Sequence, residues 1–103
     1  MTSTWRIPHL RSDLVWWIVG GDEVHGSDEV RALCERTRQD LAGVETRVER
    51  LRTLTGQSWV VVDSVASYDG ADGVSRVASC DIYEFEDGAV TTITSYNVEL
   101  EAD

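Results

Sequence analysis

The stretch "CDIYEFEDGAVTTITSYNVEL" at residues 80–100 holds the side chains best suited to chemistry. Along 74–86 a period of two sets Val77, Ser79, Asp81, Tyr83 and Phe85 on one face and Arg76, Ala78, Cys80, Ile82, Glu84 and Glu86 on the other. Two glutamates and an arginine make the second face the wetter one, so Asp81 is expected to point inward among aromatic rings. Desolvation there favours the protonated carboxyl, which donates a hydrogen bond to a ligand oxygen. The plainer alternative is a hydrogen-bonded carboxylate with no role in chemistry. Asp63, in "WVVVDSV", shares its face with Trp59, Val61 and Val65 and is expected to enter the same cavity from the adjacent strand. Two facing carboxylates share a proton and act as an acid/base pair; a structural carboxylate is again the alternative. On the last strand Ile93, Ser95 and Asn97 fall together, a hydroxyl and an amide able to fix a polar ligand group at the mouth of an apolar cavity. Asn97 equally suits backbone groups at a strand end.

Other chemistries find little support. His25 stands just before a helix, where it can bond the turn, and His9 has no visible partner. No H-x-x-x-H, C-x-x-C, glycine-rich phosphate loop or nucleophile elbow occurs, so no metal or cofactor is expected. Cys34 and Cys80 lack metal-type spacing and read as two buried thiols.

Nine basic against nineteen acidic residues give a net charge of -10, which repels phosphate backbones and anionic headgroups and argues against nucleic acid and membrane surfaces as partners. No apolar run approaches the roughly 20 residues of a transmembrane helix, and residues 1–13 lack the features of a signal peptide, so a cytoplasmic location is expected. At 103 residues one domain is expected over 1–103, and a 42% hydrophobic content with four tryptophans is ample for its core.

These residues need elements to position them. "SDEVRALCERTRQDLA" at 27–42 sets Val30, Leu33, Cys34, Thr37 and Leu41 on one stripe of an amphipathic helix, opened by Gly26 and Ser27, with Asp28 and Glu29 complementing its dipole and Gly43 able to cap its end. From 44 to 100 the period becomes two, predicting a four-stranded antiparallel meander over 44–55, 58–69, 74–86 and 89–100. Its turns are "TGQS", a longer loop at "DGADG", and a tight Asp-Gly hairpin at "EDGA". A twelve-residue strand is about 40 Å long, so the sheet must curl or bulge, and the phase break between Val48 and Leu51 marks a bulge. Residues 14–26 add a short strand and a turn, and 1–13 an irregular or short-helical N-terminus broken by Pro8. The fold class is therefore α+β, a strongly curved antiparallel sheet of four long strands and one short N-terminal strand, packed on one main helix. A single helix cannot cover such a sheet, which favours a homodimer.

The element order, with "VHGSDEV" introducing the helix and "YEFEDGAVTTITSYNVEL" closing the sheet, resembles the nuclear transport factor two-like superfamily, in particular SnoaL-like proteins and ketosteroid isomerases, over roughly residues 14–100. The resemblance implies a cone with an apolar central pocket, which binds a small apolar or cyclic molecule. It implies pocket positions at Trp17, Trp59, Val61, Tyr83, Phe85, Ile93, Ser95 and Asn97. It also sets Asp81 where ketosteroid isomerases keep a protonated oxyanion-hole aspartate. Their general-base position holds Trp17 here, and the one to three helices with which relatives begin have only residues 1–13 in their place. In the limonene epoxide hydrolases the catalytic aspartate matches Asp63, but their arginine and second aspartate match Val61 and Ser95, so that set is broken. The resemblance thus implies a binding domain whose ligand is unnamed. Its alternatives are an isomerase or hydrolase of a cyclic or polyketide-like substrate using Asp81 and Asp63, and a dimerisation or interaction module.

Overall fold

The computed structural model describes residues 9–101. Its elements run β1 (Leu10–Ile18), β2 (Glu23–His25), α1 (Ser27–Asp40), β3 (Glu45–Thr55), β4 (Trp59–Gly70), β5 (Gly73–Glu86) and β6 (Ala89–Leu100). They form one curved, unclosed six-stranded sheet in the order β2-β1-β6-β5-β4-β3. The helix and all four long strands stand within two residues of the expected bounds. The expected N-terminal segment differs: residues 1–8 lie outside the described residues, while Leu10–Asp13 already belong to β1.

Turn chemistry fixes the hairpins. Asp87 and Gly88 have φ of 50° and 81°, the left-handed pair that a two-residue turn matching strand twist requires. The expected longer loop at 69–73 is instead another two-residue turn, Ala71 and Asp72, because Gly70 and Gly73 themselves pair and Gly73 takes φ 116°. The register of β3 on β4 shifts between Val48 and Arg50, at the expected bulge. One pairing departs from the meander: β1 lies parallel to β6, aligning Trp16 with Ile93 and Ile18 with Ser95.

Directly paired residues share a face, so the registers sort the sheet into two sides. The inner side carries Trp16 and Ile18 from β1, Ile93, Ser95 and Asn97 from β6, Ser79, Asp81 and Tyr83 from β5, and Val60, Val62 and Ser64 from β4. The buried core of Leu10, Leu14, Val30, Val90 and Ile93 joins α1 to this side, with Trp16, Val24, Tyr83 and Phe85 packed around it. The helix contacts β1 and β2, and beyond them the inner side opens: Val48 and Leu51 on β3, opposite Ala66 and Ser64, are 58% and 64% exposed. Core and open sheet meet along β5, the strand of Asp81.

Candidate functional site

Asp81 is half-buried, and β6 sets Ser95 directly opposite it. The Ser95 hydroxyl donates to Asp81 Oδ1 at 2.6 Å, and Trp16 Nε1–H donates to Ser95 Oγ at 2.8 Å. Ser95 is 2% exposed, the buried polar residue of the core region, so this chain satisfies a hydroxyl that would otherwise be costly to bury. Two residues along both strands, Ser79 Oγ donates to Asn97 Oδ1 at 2.8 Å, which turns the amide nitrogen of Asn97 away from Ser79. On the other flank of Asp81 stands Tyr83, whose phenol is pushed above its ordinary value by burial, then by the charges of Asp81 and Cys34. It stays a neutral phenol, able to donate a hydrogen bond.

The inner side thus brings together Asp81, Tyr83, Phe85, Ile93, Ser95 and Asn97 of the expected site. The other expected residues are placed elsewhere. Asp63 pairs with Cys80, Val61 with Ile82 and Trp59 with Glu84, so all three project from the outer face, and Trp17, aligned with Thr94, joins them there. Asp63 meets Arg52 at 3.1 Å and Arg50 at 3.5 Å from the edge strand β3. The expected carboxylate pair is therefore not formed. A two-residue turn pairs odd positions of β4 with even positions of β5, and a loop one residue longer would have reversed this. The Val61, Asp63 and Ser95 positions matched to epoxide hydrolases likewise divide between the two faces. The tryptophan on the inner face is Trp16, not the Trp17 that the resemblance implied, and the signal that places it, the parallel pairing of β1 with β6, is not written in either strand.

A groove of about 470 Å³ lies farther along the inner side, between Thr37 and Leu41 at the end of α1, Val44, and Tyr68, Gly70, Ala71, Asp72, Gly73 and Ser75 of the β4–β5 hairpin. Ser75 is six residues from Asp81 on one strand, about 20 Å away. Among the described residues no group of three or more His, Cys, Asp or Glu is placed to hold a metal ion, and no helix is long and apolar enough to cross a membrane.

The helix laid on one half of a curved, unclosed sheet is consistent with a known family fold. The SnoaL-like domain model matches residues 7–93, and the chain belongs to that family. Among solved structures it is similar to an NTF2-like protein of unknown function from Cytophaga hutchinsonii, at 27% identity and a TM-score of 0.72 over 86% of this chain and 79% of that one. It is also similar in fold to an LEH-like epoxide hydrolase of M. tuberculosis, at 21% identity and a TM-score of 0.62, covering 86% of this chain and 65% of that one. A third, a putative polyketide cyclase from Silicibacter sp., has 11% identity and a TM-score of 0.70 over 90% of this chain and 79% of the other. No curated protein matches.

Proposed function

We propose that the chain binds a small apolar or cyclic molecule against the inner face, in the cytoplasm, with Asp81 as its polar anchor. The observation that carries this reading is the Trp16–Ser95–Asp81 chain of hydrogen bonds. It spends one oxygen of a half-buried carboxyl on the protein, while Oδ2 has no partner among the described residues. Tyr83, Phe85 and Ile93 supply the apolar contact, and the Asn97 amide offers a second polar point about 7 Å along the strands. The test is a thermal-shift screen of cyclic ketones and cyclic alcohols on the wild type and on Asp81→Asn. A ligand at 100 times its Kd stabilises the native state by about 2.7 kcal/mol. A compound that stabilises the wild type is expected to lose at least tenfold in affinity for the variant; equal stabilisation of both would sink the anchor.

The enzymatic form of this reading gives Asp81 a proton to donate or accept on a cyclic substrate. It is favoured by the putative polyketide cyclases among the similar folds, from Silicibacter sp. and Xanthomonas campestris. Asp63 has no part in it, because its carboxylate faces the arginines of β3 on the other side of the sheet.

The outer face supports a second copy of this chain as partner. Trp17, Trp59, Tyr96 and Val98 are 42–58% exposed there, a larger apolar surface than a solvated sheet face needs. The same face carries Arg47, Arg50 and Arg52 at its β3 edge and Glu23 at its β2 edge. A two-fold axis running along the central strands would set Trp17, Trp59, Tyr96 and Val98 of one copy against the same surface of the other.

A further inference from the structure

Three atoms decide which way the protons point at Asp81. An indole nitrogen donates and never accepts. At 2.8 Å from Trp16 Nε1, Ser95 Oγ is therefore the acceptor, and its single proton is left for its other neighbour, Asp81 Oδ1 at 2.6 Å. An oxygen that receives a hydrogen bond along that line cannot also hold a proton there.

We propose that Trp16 is a positioning residue, which acts through Ser95 to commit Asp81 Oδ1 as an acceptor from the protein, so that Oδ2, without a partner among the described residues, is the oxygen Asp81 presents to a ligand. The relay deepens the reading of Asp81 as the polar anchor and rests on it for its meaning, but not for its existence. With Oδ2 deprotonated the site accepts from a hydroxyl or enol of the ligand, and with Oδ2 protonated it donates to a ketone oxygen. In both states the lone pair of Oδ1 that faces Ser95 is already taken. Without the indole, the Ser95 hydroxyl turns freely, and Oδ1 loses its fixed donor.

Mostly apolar and hydroxyl groups face Asp81. β4 turns Val60, Val62 and Ser64 toward it, β1 turns Trp16 and Ile18, and β6 turns Ser95 and Asn97. The titratable neighbour on its own strand is Tyr83, at which the charges of Asp81 and of Cys34 from α1 both act. Burial raises the phenol from 10.0, and partial desolvation raises the thiol of Cys34, which is exposed rather than buried as the sequence suggested, from 9.0, so both lose their protons on the alkaline side.

The experiment follows the indole N–H resonances of the tryptophans through an acid titration of the ligand-free protein, with Trp16→Phe assigning the resonance of interest. Protonating Asp81 weakens the pull on the Ser95 proton, which makes Ser95 Oγ a poorer acceptor. The Trp16 resonance is expected to move upfield with the same midpoint as the Asp81 carboxyl carbon. The step is expected to vanish in Asp81→Asn and in Ser95→Ala, and to survive in Ser95→Thr, which keeps a hydroxyl. A step that persists in Asp81→Asn, or a Trp16 resonance that stays still while the Asp81 carbon titrates, overturns the relay. Because no ligand is used, a failed relay and a failed binding site are distinguishable.

Discussion

Ser95 Oγ stands 2.6 Å from Asp81 Oδ1, joining two residues that the β5–β6 register already sets opposite one another. The contact ties the central strand of the site to a serine that is itself buried beneath Trp16. Stability and site geometry therefore depend on the same hydroxyl.

Replacing that serine tests the dependence directly. Ser95→Ala removes an acceptor from the Trp16 indole and a donor from Asp81, and a part-buried donor without a partner costs about 1–3 kcal/mol. Trp16→Phe removes the donor together with its need for a partner and is expected to cost less through that hydrogen bond. In urea the midpoint is expected to fall with an unchanged slope for each variant. The double variant is expected to fall short of the sum by about 0.5 kcal/mol or more, as residues in one network do. Strict additivity would mean that the two side chains do not share a bond.

Asp63 makes the opposite case. Its side chain is 29% exposed, and the arginines it meets are 60% and 56% exposed, so solvent screens both ion pairs. Asp63→Asn is expected to cost less than about 1 kcal/mol and to leave ligand affinity unchanged. A loss of affinity as large as that of Asp81→Asn would place Asp63 in the site after all.

Why Asp63 looked like a partner for Asp81 is a matter of parity. Each strand's alternation is legible locally, and the faces drawn within 58–69 and within 74–86 are the faces the sheet uses. What joins them is the turn between, where "DGADG" reads equally as a longer loop or as two residues between paired glycines. One residue of loop length decides which odd positions meet. The bulge at β3 was legible because it breaks a hydrophobic phase, and the Asp-Gly hairpin because its backbone demands those residue types. The parallel contact of β1 with β6 joins residues nearly eighty positions apart, and neither strand carries a mark of it. Trp16 on the inner face could therefore not be told from its neighbour Trp17, which the resemblance named.

Tyr83 gives the site a signature at high pH. Its phenol is raised above 10.0 in the folded state, first by burial and then by Asp81 and Cys34. The native state therefore holds its proton where the unfolded chain has released it. By linkage this contribution is fully present below pH 10 and is lost as pH rises through the folded value. Stability of the wild type is expected to fall with pH above about 10, and the Tyr83→Phe variant to fall less steeply over the same window. Equal slopes would show that the ring is solvated as fully in the native state as in the unfolded one.

The outer face is tested by its centre rather than its edges. Val98 is 58% exposed on β6, a central strand of the sheet, and Tyr96 on the same strand is 44% exposed, so a two-fold contact of this face brings both copies of that strand close together. Val98→Glu would then set a carboxylate against an apolar surface and near its own symmetry mate, which costs far more in the dimer than in the monomer, where the side chain already meets water. Sedimentation over a hundredfold range of concentration is expected to show a dimer for the wild type and a monomer for Val98→Glu. Val48→Glu, on the inner face, is expected to leave the dimer intact. If Val48→Glu dissociates the chain and Val98→Glu does not, the second copy covers the open inner side of β3 and β4 instead, and the arginines of β3 have some other partner.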